Sequence, residues 1–295
     1  LFNVAGKRVL ITGSSRGLGK TLAEGFLRAG SVVILNGRSK EALQEIQQEF
    51  INSGFHPEIA AFDVLDEGAV QTAIDKIQPI DVLINNAGIQ RRAALHETPL
   101  ELWNDVLHTN LTSAFLVARE VVQRMLSRGR GGKIINICSL MSGFGRPTTG
   151  PYTASKGGLK MLTQAMCADW ARFDIQINGI APGYFLTEMT RGLKEDEAFN
   201  SWLLQRTPSH RWGRPDELIG AALFLASEAS SFVNGQVLYV DGGVSAVGVL
   251  PRAENVEIAE RNRVDAVAAA VRAEQRLARH LRRGIRALGH HGHRL

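Results

Sequence analysis

Tyr152 and Lys156 stand four residues apart in the run Pro151-Tyr152-Thr153-Ala154-Ser155-Lys156-Gly157. On a helix, positions i and i+4 share a face, so this spacing sets an ammonium beside a phenol. A free phenol loses its proton near pH ~10, and a cation close by favours the phenolate and lowers that value. The pair can then give and take a proton near neutral pH, as a general acid/base must. Taken singly, a Tyr and a Lys at this spacing are ordinarily a surface pair, so the rest of the chain decides what they do.

A second group lies near the start of the chain. Lys7-Arg8-Val9-Leu10-Ile11-Thr12 reads as a short buried strand, Gly13-Ser14-Ser15-Arg16-Gly17-Leu18-Gly19 as a Gly-rich turn, and Lys20 to Ala29 as a helix. A strand, a tight turn and a helix N-terminus form a phosphate site. The glycines let the backbone approach a pyrophosphate, and the helix end offers oriented N–H groups. The spacing is Thr-Gly-x-x-x-Gly-x-Gly rather than the commoner Gly-x-Gly-x-x-Gly. Gly13, Ser15, Arg16, Gly17, Leu18 and Gly19 are the candidate dinucleotide contacts in this turn.

The elements that must position these groups alternate along the chain. Apolar stretches predict strands at 9–12, 32–36, 58–62, 82–85, 133–138, 176–180 and 237–240. Helical patterns fall at 17–29, 40–52, 67–77, 100–127, 152–173 and 216–227. Seven apolar strands separated by helices imply an α/β fold, a doubly wound, mostly parallel seven-stranded sheet covered on both faces. Ligands bind such sheets beyond the carboxyl ends of the strands. Thr12, Asn36, Phe62, Asn85 and Ser139 all fall at or just past those ends. Residues 187–214 lack a strand and carry Phe199, Trp202 and Leu203 at helical spacing, an apolar stripe for a helical excursion that packs on the body.

Composition narrows the class. The chain has 295 residues, 44% hydrophobic and 21% charged, which suits a globular protein with a sizeable core. Two cysteines, Cys138 and Cys167, do not make a disulfide framework and point to a reducing compartment, the cytoplasm. No apolar run approaches the ~18 residues of a membrane helix, and no membrane partner is expected. The chain begins at Leu1 rather than Met, so a targeting segment ahead of it stays open. Residues 250–295 hold ten Arg and no Lys against five acidic residues, which is the whole net charge of +5. The preceding 249 residues balance at 24 basic and 24 acidic side chains, so the basic character does not indicate a nucleic-acid partner. The chain therefore divides into one catalytic domain, 1–249, and a basic Arg/Ala-rich tail, 250–295, helical or disordered and without a catalytic role. His290, His291 and His293 in that tail lack a fixed Cys or carboxylate partner, and no metal site is expected.

Thr12-Gly13 to Gly19, Asn85-Asn86-Ala87-Gly88, Asn110, Ser139, Tyr152-x-x-x-Lys156 and Pro182-Gly183 together resemble, in order, the motifs of the short-chain dehydrogenases/reductases. The likeness spans roughly residues 2–247. Within that family the chain looks most similar to the gluconate 5-dehydrogenase group. The residues that carry this are Ile89-Gln90-Arg91-Arg92, Asn136-Ile137-Cys138-Ser139, Asn178 to Phe185, Thr187-Glu188-Met189-Thr190 and Arg211-Trp212-Gly213. The resemblance implies reversible hydride transfer between a secondary alcohol and a nicotinamide. Tyr152 is then the acid/base, and Lys156 lowers its pKa and holds the nicotinamide ribose. Ser139 orients the substrate oxygen, and Asn110 supports a water chain to the lysine. Asp63 and Asn86 are expected to frame the adenine and its ribose, and Gly183 and Thr187 to meet the nicotinamide end. Residues 187–214 become a substrate lid. Homo-oligomers, dimers or tetramers, are implied through helices 100–127 and 152–173.

Cofactor choice has a physical argument. NAD-dependent enzymes of this architecture usually carry an acid at the end of the second strand to hold the ribose hydroxyls. Here that place reads Asn36-Gly37-Arg38, and Arg16 adds a second guanidinium. Arginine suits bidentate phosphate binding, so the expectation is NADP(H), with Arg38 and Arg16 on the 2′-phosphate. Arg91, Arg92, Arg146 and Tyr184 are the candidate contacts to a sugar-acid substrate. The stretch Met141-Ser142-Gly143-Phe144 has no acid where members of the gluconate group carry one, which leaves a related sugar acid or a less polar compound open. The alternatives are a reductase of 3-oxoacyl thioesters or other carbonyls and, in another class, a non-catalytic dinucleotide-binding protein.

Overall fold

The computed structural model describes residues 1–247. The readings that fall on 248–295, the basic tail and its histidines, lie outside the described residues. Seven strands form one sheet: β1 Arg8–Ile11, β2 Val32–Gly37, β3 Glu58–Ala61, β4 Val82–Asn85, β5 Gly132–Ile137, β6 Ile175–Pro182 and β7 Val237–Val240. Their order is β3-β2-β1-β4-β5-β6-β7, and every neighbouring pair is parallel. The chain walks outward from β1 to β3, returns to β4 beside β1, and walks the other way to β7. That reversal opens a crevice between the carboxyl ends of β1 and β4.

Strand alternation sorts side chains to two cores, because successive residues point to opposite faces. Val9, Ile11, Val33 and Leu35 face one core with Leu22 and Phe26 of helix α1 (Gly17–Arg28), Leu43 of α2 (Lys40–Asn52) and Leu225 of α9 (Ile219–Ala226). Leu10 and Ile34 face the other, with Val70 and Ile74 of α3 (Glu67–Lys76), Val117 and Val121 of α5 (Ser113–Ser127) and Met166 of α6 (Gly150–Trp170). Ser39 and Asp66 cap α2 and α3 by accepting the backbone N–H groups of Ala42 and Ala69.

The helix expected over 100–127 is interrupted. α4 (Leu100–Leu107) passes into a wide π turn, His108–Thr112, before α5 resumes. The Ser113 N–H reaches back five residues to the His108 carbonyl, so the turn holds an extra residue. The excursion after β6 contains two short helices, α7 (Arg191–Glu195) and α8 (Glu197–Arg206), and Leu203 of α8 is fully buried. No helix among the described residues is long and apolar enough to cross a membrane.

Candidate active site

The π turn explains the place of Asn110. Asparagine is a mediocre helix former, but here its amide bridges two segments. Its Oδ1 accepts the Ile89 N–H at 2.7 Å. Its Nδ2 donates to the Ile89 carbonyl at 2.9 Å and to Ser155 Oγ at 3.0 Å. The Ser155 hydroxyl donates in turn to the Tyr152 carbonyl at 2.8 Å. Asn110 thus fastens the loop after β4 to the first turn of α6, where Tyr152 and Lys156 share a face. Gly88 lies between them: a Cβ there would stand 3.1 Å from Asn110 Oδ1 and 3.6 Å from Lys156 Nζ.

Ser139 follows β5 and caps a short turn by accepting the Met141 N–H at 3.1 Å. Its own N–H donates to Ser142 Oγ at 3.2 Å, and the Ser142 hydroxyl donates to the Lys156 carbonyl at 2.8 Å. Sequence reasoning did not single out Ser142, and only the folded loop shows that it ties Ser139 to α6. The Ser139 side chain also hydrogen-bonds the Tyr152 phenol. Asn110, Ser139, Tyr152 and Lys156 therefore converge on one edge of the sheet.

The charge state differs from the sequence expectation. Lys156 Nζ donates to the Ile137 carbonyl at 2.7 Å and stands 5.8 Å from the centre of the Tyr152 ring. The Tyr152 pKa is raised, burial being the largest cause, with the Ser139 hydrogen bond opposing it. Burial also lowers Lys156 to about 8. Cys138 sits close by, but burial pushes its thiol up as well, so near neutrality it carries no charge to hold the ammonium. In the unliganded protein the net shift of the phenol is therefore upward, because desolvation is its largest cause.

This has a measurable consequence. Lys156 has a folded value of about 8 against 10.5 for the free side chain. Between those values the unfolded chain binds more protons, so stability rises with pH across that window. Denaturant curves of the unliganded protein should become steadily more stable from about pH 8 to 10 relative to a Lys156→Met variant. Parallel curves would show that the ammonium is not desolvated.

The Gly-rich turn sits at the β1/β4 crevice. Gly13 has φ +62°, and a Cβ on it would lie 2.9 Å from Ala87 Cα. A Cβ on Gly19 would lie 2.5 Å from both Asn86 Nδ2 and the Gly13 carbonyl. Thr12 Oγ1 accepts the N–H groups of Asn86 and Ala87, each at 3.0 Å. Asn86 Nδ2 donates to the carbonyls of Thr12 at 2.9 Å and Gly13 at 3.0 Å. The Asn86 amide thus holds the turn itself, a role the motif alone does not reveal. Asn36, 1% exposed, closes the other side. It donates to the Ala60 and Phe62 carbonyls and accepts from the Gly13 N–H.

Ser15, Arg16 and Gly17 rim this turn, and Leu18 packs inward against the core. Arg16 and Arg38 are exposed, and neither guanidinium has a partner among the described residues. Asp63, past β3, accepts the Leu65 N–H at 3.0 Å. Gly183 lies so close to β7 that a Cβ would stand 2.6 Å from Asp241 Cβ. Thr187 caps the turn that opens the excursion after β6, with its N–H on Thr190 Oγ1 at 2.9 Å. These groups fit a dinucleotide: a backbone cradle that side chains would fill, and two unpaired guanidinium groups at its rim.

The substrate candidates separate. Arg91 pairs with Asp105 of α4 at 3.9 Å, with both side chains about half exposed. Arg146 lies 5.1 Å from the Phe199 ring centre and 5.9 Å from that of Tyr184, and its Nη1 donates to Tyr184 Oη at 3.4 Å. Burial lowers the Arg92 pKa, and the charge of Arg146 lowers it further; the segments that carry them meet where the Ala93 N–H donates to the Thr148 carbonyl at 3.2 Å. Tyr184 meets Phe199, Trp202 and Trp212 edge-on, at ring distances of 5.7, 6.4 and 6.0 Å. The aromatic side chains Tyr184 and Phe199 thus pack around Arg146. Among the described residues no cluster of three or more His, Cys, Asp or Glu could hold a metal ion.

Comparison with known proteins agrees with this geometry. Residues 13–245 match the model of a family described as enoyl-(acyl carrier protein) reductase. Gluconate 5-dehydrogenase of Gluconobacter oxydans is 53% identical over 249 residues, 83% of this chain and 97% of that protein. The 5-keto-D-gluconate 5-reductase of Escherichia coli is 51% identical over 83% of this chain and 97% of its own length. A crystal structure of a gluconate 5-dehydrogenase from Burkholderia cenocepacia, in complex with NADP and tartrate, is 51% identical. It superposes with a TM-score of 0.81, covering 83% of this chain and 98% of that one.

Proposed function

The chain belongs to the short-chain dehydrogenase/reductase family, a family of nicotinamide-dependent oxidoreductases, and from that membership we propose that it interconverts D-gluconate and 5-dehydro-D-gluconate with NADP(H). The observation that carries the substrate class is the electrostatic coupling of Arg92 and Arg146, on segments that meet at Ala93 and Thr149, just ahead of the helix that carries Tyr152 and Lys156. Two like charges that act on each other favour an anion between them, and a sugar-acid carboxylate is such an anion. Relatives that share half the sequence act, by name, on gluconate and its 5-keto form.

Arg16 and Arg38 would hold the 2′-phosphate, the α1 N-terminus the pyrophosphate, and Lys156 the nicotinamide ribose. Asp63 and Asn86 would frame the adenosine, and Gly183 and Thr187 the nicotinamide end. When bound, the nicotinamide exchanges a hydride with the substrate carbon and, oxidised, adds a positive charge that favours the Tyr152 phenolate. Ser139 orients the reacting oxygen through its hydroxyl. Tyr152, whose raised pKa keeps it protonated near neutrality, donates its proton to the oxygen of a ketone; in the reverse direction its phenolate accepts the alcohol proton. Asn110 holds the loop after β4 against α6 and keeps Lys156 beside the phenol. Residues 1–249 act as one catalytic domain with 187–214 as its lid, in the cytoplasm. Homo-oligomers form through α5 and α6, whose Phe115 and Met161 are 40% and 59% exposed.

The test is direct. With NADP⁺ and D-gluconate, absorbance at 340 nm should rise, and with NADPH and 5-dehydro-D-gluconate it should fall. Arg146→Ala should raise KM for the sugar acid ~10-fold or more by removing one charge-assisted contact. Turnover of 3-oxoacyl thioesters but not sugar acids would replace this reading with the carbonyl-reductase one.

A further inference from the structure

Tyr239 lies on β7 opposite Ala181 of β6, one residue before the strand ends. Its ring packs on Leu140, Met141 and Val244, the small cluster against which Tyr152 and Tyr184 also pack. Three tyrosines therefore surround the loop that runs from Ser139 toward Arg146. The other two serve the acid/base pair and the lid. Tyr239 belongs to neither.

Its hydroxyl stands where position 143 has no side chain. A Cβ on Gly143 would lie 2.8 Å from Tyr239 Oη and 3.7 Å from its Cζ. The absent methyl and the phenolic oxygen thus compete for one space. The Gly143 φ of −128° is open to any residue, so backbone strain does not require glycine here. What the glycine provides is room for the Tyr239 oxygen.

That oxygen has no hydrogen-bond partner among the described residues. Half-buried phenols ordinarily find one. Nor is it sealed in the interior, in contrast to Asn85 Oδ1 and Lys133 Nζ, which are buried without partners. It opens onto accessible space beside the loop that carries Ser139. A phenol both donates and accepts, so it matches a carbohydrate hydroxyl in either sense.

We propose that Tyr239, admitted by Gly143, is a specificity-determining residue that hydrogen-bonds one hydroxyl of the polyol acid away from the reacting carbon. This rests on the sugar-acid reading above. A site built to pair a substrate hydroxyl discriminates against the analogue that lacks it, because its own polar group is then left unpaired.

The full chain should be assayed with NADP⁺, D-gluconate and its monodeoxy analogues, in wild type, Tyr239→Phe and Gly143→Ala. In wild type one deoxy analogue should show a kcat/KM ~3- to 10-fold below gluconate, the span of one neutral hydrogen bond. Tyr239→Phe should erase that preference by lowering gluconate to the level of the analogue, with the loss in KM and the analogue's own constants unmoved. Gly143→Ala, which displaces the hydroxyl without removing it, should do the same and decides the matter if the Phe variant does not fold. Discrimination retained in both variants overturns the inference, as does an equal loss on every substrate or a wild type indifferent to every deoxy position. A wild type inactive on all sugar acids overturns the functional reading and this inference with it.

Discussion

Replacing Tyr152 by Phe lowers kcat ~10²–10⁴-fold, the usual contribution of a positioned acid/base, and leaves NADPH binding intact. The ring keeps its packing on Leu140, Met141 and Val244, and only the oxygen leaves. The Lys156 anchor on the Ile137 carbonyl does not involve the phenol, so the ammonium keeps its place. Binding should be read by quenching of tryptophan fluorescence or enhancement of NADPH fluorescence, and turnover at 340 nm. The deficit should persist in both directions, since in the proposed mechanism the same group gives the proton in reduction and takes it in oxidation. A variant that keeps most of its kcat would mean that Ser139 or a water supplies the proton.

The second large effect falls on cofactor choice. Arg38→Asp should shift the NADP(H)/NAD(H) affinity ratio at least ~10-fold, and Arg16→Asp with Arg38→Asp ~100-fold or more, because a charged hydrogen bond contributes roughly 1.5–3 kcal/mol. Both side chains are exposed and without partners among the described residues, so the change breaks no ion pair of the fold. Asn36, which holds the β2 end to Gly13 and to the β3 carbonyls, is untouched. Dissociation constants for the four reduced and oxidised dinucleotides would check this. Equal weakening of NADP(H) and NAD(H) would show that neither guanidinium reads the 2′-phosphate.

What sequence alone determined here is what depends on short spacings. The Gly-rich turn between strand and helix, and the shared face of Tyr152 and Lys156, are set within one or two turns of chain. Alternating strand and helix patterns sufficed for the seven-stranded sheet, because burial on both faces leaves continuous apolar runs. Strands 82–85 and 237–240 and helix 40–52 fall where those runs predict. The tertiary structure decided everything that depends on who meets whom across the fold. Asn86 grips the Gly13 carbonyl from 73 residues away, a bond no local pattern encodes. Arg91 and Arg92 are adjacent, yet Arg91 pairs with Asp105 while Arg92 feels the charge of Arg146. The helix over 100–127 breaks at Asn110, because the Ile89 backbone and Ser155 offer its amide more than a continuous ladder does. The sign of the Tyr152 shift turns on burial, and desolvation exists only once the chain has packed.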